Sequence, residues 1–191
     1  MKIQIAGFDP SLSNWGYAIG SFDTTTNVVD IHDIGVISPE NKKAKNVRKN
    51  SLDIERAEML SDQAFQLLIT NKPSALFVEV PVGSQSARAM ASYGICIGLL
   101  GAIRSQIPVS VFEISPSEVK VTATNSKTAS KTEMIDWAVS LYPSINWPRH
   151  RQQITVGKAE HIADAIGAIH AGINSSHFKQ YINLFSSINQ E

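Results

Sequence analysis

An α/β domain on a mixed sheet is the fold the sequence predicts, and three observations point to it. Hydrophobic residues make up 43% of the 191 positions, enough for a sizeable core and too many for a disordered chain. Three strand-like segments follow one another near the N-terminus with short links, the pattern of an antiparallel meander. Beyond them helical and strand-like periods alternate, so two more strands enter the sheet by way of helices. The length fits one domain over 1–191, with a basic flexible insert at about 39–50.

The elements follow in order. Residues 2–8 (KIQIAGF) alternate imperfectly and predict a strand, and the polar stretch Ser11 to Asn14 predicts a turn into a second strand at 15–22. A third strand is expected at 28–37 (VVDIHDIGVI). The insert carries Lys42, Lys43, Lys45, Arg48 and Lys49 and has little periodicity, as expected of a loop or an arm. Leu52, Ala57, Leu60, Ala64, Leu67 and Leu68 lie near helical spacing and predict a helix over 52–70, ended by Pro73. Residues 75–80 (ALFVEV) form a short buried-type strand. A helix over 84–106 is rich in small residues, among them Gly94, Gly98 and Gly101, and so offers a face for close backbone approach.

A strand at 109–114 (VSVFEI) leads to a short helix running to Val121, capped by Ser115 with Pro116 at its first position. Ser130-Lys131-Thr132-Glu133 is a capping box that opens a helix over 132–141, and Tyr142-Pro143 ends it. A loop with Trp147, Pro148, Arg149, His150 and Arg151 precedes the last clear helix, 160–173.

Composition removes several classes of function. No apolar run reaches the roughly 18 residues of a membrane span, and MKIQIAGFDP lacks the pattern of a signal peptide. A soluble, cytoplasmic protein with no membrane partner is expected. The single cysteine, Cys96, permits no intrachain disulfide and sits between Ile95 and Ile97, as a core thiol does. No GxxxxGK[ST] loop and no GxSxG elbow occur. Formal net charge is zero, but the positive charge is clustered: the insert, then Lys120, Lys127 and Lys131, then Arg149, Arg151 and Lys158. Solvated loops account for such clusters as readily as a polyanionic partner does.

Three carboxylates stand where charge is costly. Asp9 follows the apolar Phe8, Glu79 lies between Val78 and Val80, and Asp164 lies within Ile162-Ala163-Asp164-Ala165-Ile166. A charge in an apolar run needs a partner or a cation unless it faces solvent. His161 and Asp164 share a helix face at i, i+3. If the four converge, they form an oxygen-rich set with one nitrogen, suited to Mg²⁺ or Mn²⁺.

These residues also carry a resemblance. Gly7-Phe8-Asp9-Pro10 with Trp15-Gly16-Tyr17 opens like a strand ending in Asp-Pro, followed by a strand that begins with an aromatic and a glycine. Val78-Glu79-Val80-Pro81 with Ser86-Ala87-Arg88, then Phe112-Glu113-Ile114-Ser115-Pro116 with Lys120, then Ser130-Lys131 with Met134, and finally His161-Ile162-Ala163-Asp164-Ala165 follow in order from about residue 3 to 173. In that order they resemble the motifs of the RuvC-type Holliday junction resolvases of the RNase H superfamily. Ser11, where that family often has Gly, and the long basic insert look more like its bacteriophage-encoded branch.

The resemblance implies an RNase H-like, five-stranded mixed sheet flanked by helices. It implies a metal-dependent endonuclease cutting four-way junctions and forks to 5′-phosphate and 3′-hydroxyl ends. Asp9, Glu79, His161 and Asp164 would be both its catalytic residues and the ligands of two Mg²⁺ ions (Mn²⁺ possible) per active site. Lys120, Lys127, Lys131 and Arg88 would touch DNA, Trp147 would stack on a base or lie in the core, and helix 84–106 would help form a homodimer. The setting would be bacterial cytoplasm, or host cytoplasm for a phage-encoded protein. Competing readings are a nuclease of the same superfamily acting on RNA or RNA–DNA hybrid, and a non-catalytic branched-DNA-binding protein. An actin-like kinase or ATPase is a further one, but the second phosphate motif of that class is absent.

Overall fold

Thirteen segments make up the computed structural model, which describes residues 1–39, 48–80, 83 and 85–188. They are β1 (Lys2–Asp9), β2 (Trp15–Asp23), β3 (Val28–Ile37), α1 (Lys49–Asn71), β4 (Ala75–Glu79), α2 (Ala87–Gln106), β5 (Ser110–Ile114), α3 (Pro116–Thr124), α4 (Lys131–Leu141), β6 (Arg149–His150), β7 (Gln153–Ile154), α5 (Val156–Asn174) and α6 (Ser176–Ile188). The main sheet has the order β3-β2-β1-β4-β5. β1, β2 and β3 form the expected antiparallel meander, and β4 and β5 run parallel to β1. A five-stranded mixed sheet flanked by helices is therefore the fold.

β1 is central, and this explains its imperfect alternation. From Ile5 to Phe8 it is buried at every position, because helices cover both faces of the sheet there. One face packs against α3, α4, α5 and α6, with Phe77, Ile166, Ile169 and Phe178 at its centre. The other packs against α1 and α2 through Phe8, Trp15, Leu60, Leu76 and Ile103. Cys96 belongs to this second core, 2% exposed, and burial pushes its thiol up to about 12.

α5 lies directly on the sheet because two glycines make room for it. A Cβ at Gly7 would come within 2.3 Å of the Ala165 carbonyl oxygen, and one at Gly16 within 2.1 Å of that of His161. Local chemistry fixes the neighbouring helices. Ser115 accepts from the Glu118 backbone N–H while Glu118 accepts from that of Ser115, and Ser130 and Glu133 repeat this capping box.

Several boundaries differ from expectation for identifiable reasons. α2 starts at Ala87, not 84, because Ser86 caps it by accepting from the Ala89 backbone N–H. α1 begins at Lys49, so the last residues of the basic insert are helical; Lys42, Lys43 and Lys45 lie outside the described residues. α6 was not expected. It is held by an aromatic cluster in which Phe178 meets Phe77 at a centroid distance of 5.0 Å and Phe112 at 5.3 Å. Trp147 is 2% exposed and its indole N–H donates to the Tyr142 carbonyl at 2.9 Å, so it is a core residue and no stacking platform for a base. Among the described residues, no helix is long and apolar enough to cross a membrane.

Candidate active site

Asp9 and Glu79 are the last residues of two adjacent parallel strands, β1 and β4. β5 ends beside them, and the turn after it opens α3, which carries Lys120. α5 runs back across the sheet: its His161 lies by Gly16 and its Gly172 by Phe77. Its N-terminal half, with His161 and Asp164, therefore meets the C-terminal ends of the parallel strands, where α/β sheets place their ligands.

His161 and Asp9 are in direct contact, with Nδ1 2.6 Å from Oδ2 and both side chains largely buried. Burial disfavours protonation of His161. The hydrogen bond and charge of Asp9, with the charges of Glu160 and Asp164, outweigh it and leave the imidazole a stronger base than usual. Glu79 is pushed up to about 9, first by burial and then by the charges of Asp164 and Asp9, with Lys120 opposing. Asp164 is pushed up to about 7 by burial and by Asp9, against His161 and Lys120. Three carboxyl groups thus share one electrostatic neighbourhood. Glu79 Oε2 is buried with no hydrogen-bond partner among the described residues.

Such a set fits a hard divalent cation. The donors are mainly carboxylate oxygens, one of them buried and unpartnered, and burial together with the charges of neighbouring carboxylates favours the protonated forms of Glu79 and Asp164. Among the described residues no three His, Cys, Asp or Glu side chains stand close enough to chelate an ion as placed. Asp9 instead gives one oxygen to His161.

The four basic residues singled out from the sequence are placed differently from one another. Lys120 is half-buried and acts on both Glu79 and Asp164. Lys127 is exposed in the turn between α3 and α4. Lys131 pairs with Glu160, whose other oxygen lies 3.9 Å from His161 Nε2. Arg88 grips Asp53 of α1 with two guanidinium nitrogens, one of them at 2.6 Å, and Arg56 approaches the same carboxylate at 3.6 Å. Asp53 is only 5% exposed, so Arg88 ties α2 to α1. Glu160 was missed. It precedes His161 in sequence, but its pairing with a lysine on another helix has no local signature.

An RNase H-like α/β domain with an acidic cluster at the ends of its parallel strands is the class defined by this arrangement. Comparison with known proteins narrows it. The crossover junction endodeoxyribonuclease RuvC of Anaeromyxobacter sp. (strain Fw109-5) is 28% identical over 129 residues, covering 68% of this chain and 58% of that protein. RuvC of Treponema denticola is 26% identical over 170 residues, covering 89% and 85%. Thermus thermophilus RuvC, solved in complex with a Holliday junction substrate, superposes with a TM-score of 0.66 at 17% identity, over 88% of this chain and 92% of that one. No protein-family model matches the chain. The chain is thus similar in sequence to RuvC-type resolvases and shares their fold.

Proposed function

We propose that this protein is a divalent-metal-dependent endodeoxyribonuclease that resolves Holliday junctions and related branched DNA. The observation that carries the reading is the buried, mutually repelling group Asp9, Glu79 and Asp164 at one end of the sheet, with an unpartnered oxygen on Glu79. Curated relatives that are crossover junction endodeoxyribonucleases support it.

In this reading Asp9, Glu79 and Asp164, with His161, hold two Mg²⁺ ions (Mn²⁺ possible). Once bound, the cations supply Lewis-acid charge to the attacking water and the departing 3′ oxygen of a phosphodiester, leaving 5′-phosphate and 3′-hydroxyl ends. The chain's own groups set the stage. His161 orients Asp9 through the 2.6 Å contact. Lys120 offsets the negative charge of Glu79 and Asp164 and offers a cation to the approaching phosphate. Lys127 and Lys131 extend this positive margin.

Two symmetric cuts call for a two-fold dimer. α2 supports one: its face with Gly94, Gly98 and Gly101 has no atom within 4 Å of where a Cβ would lie, and Met90 and Ile97 are exposed. A sedimentation measurement at micromolar concentration is expected to give twice the chain mass. Strand-by-strand mapping of Mg²⁺-dependent cuts in synthetic junctions, forks, duplexes and RNA–DNA hybrids tests the activity. Paired nicks across the junction are expected; preferential cutting of the hybrid overturns the substrate reading. Asp9→Asn is expected to abolish cleavage and leave junction binding within a few-fold, and full activity in that variant overturns the site.

A further inference from the structure

The loop before α5 contains a feature that the acidic site leaves unused. Arg149–His150 and Gln153–Ile154 pair as a small antiparallel hairpin, β6–β7. Its two tip residues, Arg151 (φ 48°) and Gln152 (φ 67°), both have left-handed backbones, which suits a tight two-residue turn. The hairpin is firmly rooted. Trp147 is buried at its base, and the Thr155 backbone N–H donates to the Pro148 carbonyl at 2.8 Å. Arg149 also braces it, one guanidinium nitrogen donating to the Gln152 carbonyl at 3.0 Å.

Between this hairpin and β3 lies a cavity of about 450 Å³, lined by Val36, Asn146, Pro148, Arg149, Lys158 and Ile162 among others. Strand register locates it. Asp9 pairs with Gly16 and Gly16 with Val36, so the three occupy one row across the sheet. Residues opposite one another share a face, and Gly16 faces α5. With strands about 4.8 Å apart, Val36 lies roughly 10 Å from Asp9. Successive phosphates of one strand lie farther apart than the axial rise of about 3.4 Å because they also rotate about the duplex axis, so that is roughly one to two nucleotides from the acidic site.

The cavity lining carries two cations, Arg149 and Lys158, and no acidic residue. Lys2, Arg56, Arg88 and Lys131 each face an acidic partner. Arg149, Arg151 and Lys158 are exposed and make no ion pair with a described residue. The first turn of α5 has no acidic residue either, although it follows directly on the hairpin. Three uncompensated cations on a rigid ledge repel one another unless an anion joins them.

We propose that the groove between β3 and the β6–β7 hairpin binds the phosphate backbone of a DNA strand one to two nucleotides from the cleaved bond, through Arg149 and Lys158, with Arg151 at the hairpin tip as a further contact. This rests on the nuclease reading and adds a second anchor, fixing the direction in which the strand leaves the site. A strand held at two points along its length is held in line; one held only at the cut can swing.

The test uses the full chain and a labelled four-way junction in metal-free buffer, with affinity measured across a salt series. Arg149→Gln combined with Lys158→Gln is expected to flatten the log–log salt dependence by about 0.9 for each phosphate contact removed, roughly 1.8 in all. Arg149→Lys with Lys158→Arg keeps the charges and is expected to retain the slope. Lys179→Gln, beside Phe22 at the opposite end of the sheet, is expected to change nothing. Circular dichroism and thermal melting establish that each variant is folded. A folded double variant with the wild-type slope overturns the groove. The parent reading fails separately: wild-type protein that binds the junction with the expected slopes but never cuts it with Mg²⁺ is no nuclease, and the groove stands.

Discussion

The two faces of the sheet are covered to very different depths. On one, α5 is almost wholly committed: ten of its residues are buried, and its backbone touches β1 and β2 through Gly7 and Gly16. On the other, α2 has 20 residues but buries only Cys96 and Ile103, although it is apolar around most of its circumference. A helix apolar all round is ordinarily surrounded by protein. The α5 face is therefore largely buried within one chain and carries the acidic groups of the candidate site, while the α2 face leaves apolar surface exposed. Equivalent changes on the two faces should have opposite consequences.

The largest contrast is in activity. Asp164→Asn, on α5, keeps the side chain's size and removes its charge. Junction cleavage is expected to fall by about a thousandfold or more, equivalent to roughly 4 kcal/mol of transition-state stabilisation. Ile97→Asn, on the exposed face of α2, is expected to leave the acidic residues untouched and, if α2 forms the proposed dimer, to lower activity only through dissociation, so that raising the protein concentration restores it. Loss of cleavage at all concentrations in the α2 variant would remove the division of labour.

Stability gives the second contrast. Gly16→Ala drives a methyl group against the His161 carbonyl, and a buried backbone atom has no room to yield. Destabilisation of about 2–3 kcal/mol is expected in urea unfolding, with cleavage lost as α5 shifts. An unchanged midpoint would mean that α5 does not rest on β2 as described.

These contrasts also explain what could be read from the sequence. The meander was legible because β1, β2 and β3 have short links and apolar runs, and β3 begins and ends as expected at Val28 and Ile37. Asp9, Glu79, His161 and Asp164 stood out because each breaks an apolar pattern or shares a helix face. Their interaction depended on register and on how α5 lies across the sheet, which no local pattern encodes. Arg88 shows the limit plainly. Its place next to the Glu79 motif suggested a DNA contact, but nothing local announced that it also grips Asp53, 35 residues away on α1. α6 was missed although Phe178, Tyr181 and Phe185 repeat at helical spacing, because only Ser175 separates it from α5. The β6 and β7 strands are two residues each, too short for alternation to show.

Titration sharpens the comparison at the acidic end. Glu79 is pushed up by burial and by its acidic neighbours, to about 9. Between its ordinary range and that value the folded protein holds a proton that the unfolded chain has released. Stability without divalent cation must then fall as pH rises from about 4.5 towards 9. A drop in melting temperature of several degrees is expected, at about 2–4 °C per kcal/mol for a chain of this size. A Mg²⁺ ion held there, as proposed, would replace the proton as the compensating charge, so its stabilising effect should grow with pH. Glu79→Gln should flatten the profile and reduce the response to Mg²⁺. A wild-type melting temperature independent of pH and of Mg²⁺ would argue against both the repulsion and the cation site.

The smallest effect is the most discriminating for the α2 face. At Gly98 a Cβ meets no atom within 4 Å, so Gly98→Ala costs nothing sterically within one chain. It also removes backbone freedom from the unfolded state and favours the helix, for a gain of up to about 1 kcal/mol. The same methyl group would separate two α2 helices packed through their glycines. Unfolding measured on dilute monomer should move to higher urea while the dimer dissociation constant rises, two shifts of opposite sign from one substitution. Gain in both would show that the small-residue face is not the contact between subunits. Loss in both would mean that Gly98 is already covered within its own chain.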